Sequence, residues 1–260
     1  GTEIGLFLIH RQDVTPGPTV SMLLNGYGGF AISESPAWLP TFVAWCAEGG
    51  VWALAGLRGG LEHGEAWHHA GRRGNKQNVF DDFHAAGDWL VASGLASHER
   101  MALAGGSNGG LLVGAALTQR PDLARAVWCA VPLLDMVRFP QFLIARLWTD
   151  EYGDPDIPEE FSWLIAYSPY HAVEPGRRYP AVLFTTAEGD TRVDPLHARK
   201  MAALMQAAVP DQQERPVFLL QTGRAGHGVG KPSSMRIAEG TDVLSFLWWQ
   251  VTDVEPVGGK

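Results

Sequence analysis

The sequence predicts an α/β fold, a mostly parallel β-sheet with helices on both faces. Two patterns carry this. Short runs that are apolar throughout alternate with segments whose apolar residues recur at helical spacing. Strands of that kind are buried on both sides, so helices must cover the sheet above and below. A third observation concerns Ala104-Gly105-Gly106-Ser107-Asn108-Gly109-Gly110-Leu111-Leu112. The apolar run Met101–Ala104 enters it and a small-residue helical run, Leu111–Leu117, leaves it. Ser107 therefore sits on a sharp strand-to-helix turn, where a side chain at the flanking glycines would clash.

Taken in order, Ile4–Ile9 and Val20–Leu24 read as strands, joined through Pro16-Gly17-Pro18. The glycine-rich loop Asn25–Phe30 follows, and Trp38, Phe42 and Trp45 then fall on one helix face. Gly49-Gly50 ends that helix before the strand Val51–Ala55, and a long loop runs from Gly56 to Asn78. Phe80, Phe83 and Leu90 form the core stripe of a helix reaching about Ala92. Strands at Met101–Ala104, Ala126–Ala130, Ala181–Thr186 and Val217–Leu220 complete the sheet. Helices are expected after Ser107, from Pro195 to about Ala208, with Met201, Leu204, Met205 and Ala208 inward, and from about Met235 to Trp249. The interval 131–170 breaks the alternation and is read as a pocket-forming excursion. The reading is a single domain over 1–260, with a flexible tail from about 250.

Composition narrows the function. With 46% hydrophobic and 18% charged residues, the 260-residue chain is globular and can bury a large core without staples. A net charge of -8 argues against nucleic acid as a partner. The basic cluster Arg72, Arg73 and Lys76 reads as a solvated loop. Cys46 and Cys129, each between tryptophan and alanine, read as buried small hydrophobes. His63, His68 and His69 share a loop, but no further ligand pattern completes a metal site, so neither metal nor cofactor is expected. No apolar run approaches the roughly 18 residues of a membrane span and no signal peptide is visible, so the expectation is a soluble, cytoplasmic protein without a membrane partner. The abrupt start in a strand-like run leaves open a segment before Gly1, and the oligomeric state is not legible.

The chemistry centres on Ser107. A serine hydroxyl is a weak nucleophile and needs a histidine base, itself oriented by a carboxylate. In open α/β sheets ligands bind beyond the carboxyl ends of the strands, and in this sheet type the partners follow in the order Ser, Asp or Glu, His. Of the nine histidines, His171, His197 and His227 come after Ser107. His171 follows Tyr170 in a cap-like region and His197 lies inside a predicted helix, whereas His227 stands between Gly226 and Gly228 after the final strand. For the acid, Asp190 follows a turn glycine at a strand end, Asp194 has the position of a helix cap, and Glu188 is the spare. The backbone N–H of Asn108 is one donor for an oxyanion, and the second should come from Gly26–Phe30. Tyr27 can donate there through its hydroxyl or simply pack. Two glycine patterns are set aside: Gly226–Pro232 lacks the spacing and hydroxyl of a phosphate loop, and Gly26-Tyr-Gly-Gly lacks the third glycine of a dinucleotide fingerprint.

These residues belong to a wider pattern. Tyr27-Gly-Gly-Phe30, Arg58-Gly-Gly, Glu62-His-Gly-Glu-Ala-Trp67-His68, Asn75-Lys-Gln-Asn78 and Asp81-Asp82-Phe83 precede Gly105-Gly-Ser107-Asn-Gly-Gly-Leu111-Leu. Trp148-Thr149, Glu151-Tyr152-Gly153, Asp190-Thr-Arg192-Val193 and Gly226-His227-Gly follow. Together they resemble the prolyl oligopeptidase family of serine peptidases over nearly the whole chain. The resemblance implies an α/β-hydrolase fold, Ser107, Asp190 and His227 as the triad, and Tyr27 beside the Asn108 N–H as oxyanion donor. It also implies a proline slot of Trp148, Phe30, Tyr152, Val193 and Leu133, with Trp148 as the stacking plane. Arg192 matches the arginine that holds a substrate carbonyl.

Family members carry a β-propeller and an N-terminal segment ahead of this domain, and these 260 residues contain neither. The expectation that follows is an open site. Three readings result: a peptidase cleaving peptides after proline; a carboxylesterase of small or aromatic esters using the same triad; and a non-enzymatic interaction domain on a hydrolase scaffold.

Overall fold

The computed structural model describes residues 1–223, 226–227 and 231–252. Gly228, and residues 253–260 of the expected tail, lie outside the described residues. Among the described residues the strands are β1 (Gly5–Ile9), β2 (Met22–Gly26), β3 (Val51–Gly56), β4 (Met101–Gly106), β5 (Ala126–Ala130), β6 (Ala181–Ala187) and β7 (Val217–Thr222). They form one sheet in the order β1-β3-β2-β4-β5-β6-β7. Only β1 is antiparallel, pairing Gly5 with Gly56 through Ile9 with Trp52; every other neighbouring pair is parallel. The chain runs outward from β2 to β3, then crosses back to β4 on the other side of β2. The crevice where the strand order reverses thus lies beyond the ends of β2 and β4, the place at which open α/β sheets bind ligands.

Alternation along the strands sorts the core into two layers. Met22, Leu24, Ala53, Ala55, Leu103 and Phe184 face one side, against α3 (Gln77–Ala92), α4 (Asn108–Gln119) and α7 (Leu196–Ala208). Leu23, Trp52, Leu54, Ala102 and Ala104 face the other, against α1 (Pro40–Ala47) and α8 (Ser233–Val251). With a helix layer on both faces, all six residues of β3 are buried. Each large side chain taken out of water, such as Phe83, contributes about 1.5–3 kcal/mol. Cys46 and Cys129 are buried free thiols within these layers.

The elements follow the sequence reading, with four corrections. Strand β2 starts at Met22 rather than Val20, because the Val20 N–H is taken by Gly17 in a turn; Asn25 and Gly26 then belong to the strand. Trp38 lies outside α1 and is 80% exposed, since Pro40 opens the helix after the extended Leu39. The loop after β3 is not structureless: it holds the helix α2 (Glu65–His69) and a 3-10 turn at Arg73–Asn75. The tail starts later than Trp249, as Gln250 and Val251 are helical and buried.

The excursion is built from short pieces: 3-10 turns at Phe139–Gln141, Ala145–Trp148 and Pro169–Ala172, with α5 (Thr149–Tyr152) and α6 (Pro158–Tyr167). Phe139 and Tyr152 are buried in the first core layer, where their rings meet edge to face at 5.5 Å. Through Tyr152 and Trp148 the excursion reaches Phe30, in the loop that leaves β2. No helix among the described residues is long and apolar enough to cross a membrane.

Candidate active site

Ser107 occupies the turn between β4 and α4 with φ 59° and ψ −117°, a left-handed conformation for a residue that bears a side chain. Such backbone is held by its surroundings at a strain of about 1–3 kcal/mol. The Ser107 N–H donates to the Ala130 carbonyl at 2.9 Å, tying the turn to β5, and the Leu111 N–H returns to the Ser107 carbonyl at 3.1 Å. A Cβ at Gly105 would run into the Gly109 carbonyl, and one at Gly109 would meet the Gly26 carbonyl at 2.9 Å. The two glycines singled out in the sequence are therefore steric requirements of the turn.

Asp190 lies in the turn after β6 with its carboxylate out of contact with solvent. Its Oδ1 accepts the N–H groups of Arg192 at 2.9 Å and Val193 at 3.0 Å. Its Oδ2 lies 2.6 Å from Nδ1 of His227. That contact assigns the proton to Nδ1 and leaves Nε2 as the basic nitrogen, the tautomer a serine nucleophile needs. Asp194 accepts the Leu196 N–H at 2.9 Å, the helix-capping part expected of it, and Glu188 is exposed.

The other two histidines are engaged elsewhere. His197 is buried in α7, where its Nδ1 accepts the amides of Leu134 at 3.3 Å and Asp135 at 3.2 Å. Burial pushes its pKa down to about 4. His171 Nδ1 lies 2.8 Å from the Ser168 hydroxyl, with Asp135 3.9 Å from the other ring nitrogen. This second Ser–His–Asp grouping has no nucleophile in reach of a ligand, because Ser168 is fully buried.

Tyr27 and Phe30 reach the site in the loop after β2. Burial raises the Tyr27 phenol above its ordinary pKa, with a hydrogen bond to Ser107 and the charge of Arg192 acting the other way. The phenol is thus protonated at neutral pH and lies beside Ser107. The side chain of Asn108 is 1% exposed: its Nδ2 donates to the Tyr27 carbonyl at 2.6 Å, and its Oδ1 accepts the Tyr152 hydroxyl at 2.9 Å. The sequence points only to a backbone role for Asn108; the side-chain contacts join residues 44 and 81 positions apart.

The six expected substrate-binding residues divide into two groups. Phe30 and Trp148 are half-buried, with ring centroids 6.3 Å apart and planes at 81°, and Arg192 is exposed. Tyr152, Leu133 and Val193 are 0%, 1% and 2% exposed. These three are core side chains with almost no surface to offer a ligand.

A buried ionic group behind this wall escaped the sequence reading. Lys76, expected in a solvated loop, is 1% exposed; Nζ donates to the Gly28 carbonyl at 2.9 Å and pairs with Glu151 at 3.3 Å. Burial lowers the Lys76 pKa and the Glu151 charge partly restores it. Glu151 also accepts the Phe30 N–H at 3.1 Å and lies 2.8 Å from Nε2 of His68. The solvated-loop expectation fails because partners 75 to 87 positions away neutralise the charges: Glu151 for Lys76, Asp150 for Arg72, and Glu160 for Arg73. All three partner carboxylates lie in the excursion. Among the described residues no group of three or more His, Cys, Asp or Glu side chains has the arrangement of a metal site.

A mostly parallel sheet whose switch point carries a strained serine elbow, with a carboxylate–histidine pair beyond the ends of the later strands, defines an α/β hydrolase. Residues 38–253 match the model of the prolyl oligopeptidase family, and the chain belongs to that family. It is 39% identical over 252 residues to a prolyl endopeptidase of Elizabethkingia meningoseptica, covering 96% of this chain and 36% of that protein. It is 40% identical over 250 residues to a prolyl oligopeptidase of Omphalotus olearius, covering 95% of this chain and 33% of that one. Among solved structures, one from a structural and mechanistic analysis of two prolyl endopeptidases superposes with TM-score 0.94 at 48% identity, over 98% of this chain and 37% of that one. Prolyl oligopeptidase B from Galerina marginata, bound to a 35mer hydrolysis and macrocyclization substrate, gives 0.91 at 35% identity, over 96% and 36%. The chain spans about a third of the length of the relatives it matches.

Proposed function

We propose that this chain is the catalytic α/β-hydrolase unit of a serine peptidase that cleaves peptides after proline through an acyl-enzyme. Nε2 of His227 takes the Ser107 proton as Oγ attacks the carbonyl carbon, and Asp190 stabilises the imidazolium that forms. The oxyanion is received by the Asn108 N–H and the Tyr27 hydroxyl. Collapse breaks the C–N bond, and His227 delivers the proton to the departing amine. Water, deprotonated by the same nitrogen, then attacks the acyl ester and returns Ser107 to its free form. Trp148 offers a flat apolar face to the pyrrolidine ring, with Phe30 at its edge, and Arg192 holds a substrate carbonyl.

The observation that carries this reading is the 2.6 Å contact of Asp190 with His227 on the same sheet as the Ser107 elbow. The proline preference draws support from the Phe30–Trp148 corner and from relatives named as prolyl endopeptidases. The esterase alternative rested on an ungated site. A chain spanning a third of its relatives' length says nothing about a gate, so that argument lapses.

The test is turnover of a blocked Gly-Pro amide against p-nitrophenyl butyrate, with Ser107→Ala as the control. The amide is expected to turn over and Ser107→Ala to abolish both activities; an active ester with an inert amide overturns the proline reading. Trp148→Ala should lower kcat/KM for the amide at least about tenfold more than for the ester, as expected when a buried aromatic contact is lost. Equal losses would remove the stacking role.

A further inference from the structure

The loop leaving β2 has a backbone that its own residues do not favour. Gly28, Phe30 and Ala31 have φ of 64°, 56° and 53°, so two consecutive residues with side chains lie in the left-handed region. Such a segment persists only where its surroundings over-determine it. Here they do. The Tyr27 carbonyl is held by Asn108, the Gly28 carbonyl by Lys76, the Phe30 N–H by Glu151, and the Ala31 N–H by the Gly59 carbonyl at 3.2 Å.

We propose that Glu151, with Lys76 as its counter-charge, is a positioning residue for this loop, setting both the Tyr27 hydroxyl at the oxyanion and the Phe30 edge of the slot. The inference rests on the reading of Tyr27 as an oxyanion donor. Glu151 is 5% exposed and lies in the excursion, 121 positions from the Phe30 amide that it grips. A buried ion pair is weak evidence for a purely stabilising role, since an apolar replacement of similar volume often serves as well. What an apolar residue lacks is direction. The carboxylate accepts one particular amide and the ammonium donates to one particular carbonyl, in adjacent peptide units of the same loop. Lys76 also sits over the Tyr152 ring at 5.2 Å, and Tyr152 donates to Asn108, which holds Tyr27 from the elbow side. The loop is thus held at three successive points, Tyr27 by Asn108, Gly28 by Lys76 and Phe30 by Glu151.

The measurement is the rate at which a fluorophosphonate modifies Ser107. That reaction needs the nucleophile and the oxyanion hole but no proline. Tyr27→Phe is expected to slow it about a hundredfold, the usual loss of one oxyanion donor. Glu151→Ala should slow it between about ten- and a hundredfold, as small misplacements do, with an unchanged circular dichroism spectrum. Glu151→Gln, which keeps an acceptor for the Phe30 N–H, should recover most of the rate. In a Tyr27→Phe background Glu151→Ala should lose less than about threefold further, because a residue acting through Tyr27 has nothing left to position. Additive losses, or a Glu151→Ala variant that melts earlier but reacts at the parent rate, overturn the proposal. If Glu151→Ala does not fold, Lys76→Met decides by the same measure, and a parent-like rate in it overturns the proposal. An inert prolyl amide with normal phosphonylation defeats only the substrate reading, whereas no phosphonylation of the parent chain defeats both.

Discussion

Both oxygens of Asp190 are engaged before any substrate arrives, Oδ1 by two backbone amides and Oδ2 by His227. The first pair fixes the carboxylate, so the second fixes the imidazole. Asp190→Asn preserves the shape but offers Nδ1 of His227 a donor or a weaker acceptor, favouring the wrong tautomer. We expect kcat for the prolyl amide to fall roughly a thousandfold or more with KM within a few fold, measured at neutral pH. A loss confined to KM would mean that Asp190 shapes binding instead. The candidate triad of Ser107, Asp190 and His227 is legible in the sequence because each stands in a distinctive local turn and chain order selects among the candidates. Glu151 and Lys76 are not, since 75 positions separate them and neither has a local pattern that distinguishes a buried ion from a surface one.

The elbow shows the same distinction at the scale of an element. Glycines at 105, 106, 109 and 110 look equivalent as letters, yet their surroundings differ. A Cβ at Gly105 strikes the backbone of Gly109, and one at Gly110 comes within 2.8 Å of the Ala130 carbonyl; at Gly106 the nearest atom is the Ala130 Cβ at 3.6 Å. Gly105→Ala should therefore destabilise by about 2 kcal/mol or more, since the clash is with backbone that cannot rotate away, whereas Gly106→Ala should change stability by less than about 1 kcal/mol. Urea unfolding of the two variants checks this, and equal midpoints would show that the turn relaxes. Strand and helix cores were readable from periodicity, but edges depended on single hydrogen bonds. The Gly17 turn that takes the Val20 amide moved the start of β2, and Pro40 left Trp38 outside α1.

For the whole molecule, the sequence revealed a parallel sheet but not, from periodicity alone, the order of its strands, because parallel neighbours can be far apart in the chain. That order puts α3 and α7 on the same face of the sheet and buries a histidine in each. His84 is 8% exposed with no partner for Nε2 among the described residues, and burial, reinforced by the Arg120 charge, pushes its pKa down to about 4. His197 is shifted to about 4 by burial. Both are neutral in the native state at a pH where the unfolded chain, with histidines near 6.5, takes up protons. Between pH 6.5 and 4 the unfolded state therefore binds more protons, and stability falls as the pH falls. The loss should be on the order of a few kcal/mol across that window for the two sites together. His84→Leu removes one site along with an unpaired buried nitrogen. Its melting temperature should decline with acidification about half as steeply as that of the parent, and should exceed the parent's at pH 5. An unchanged slope in His84→Leu would assign the acid sensitivity to other groups.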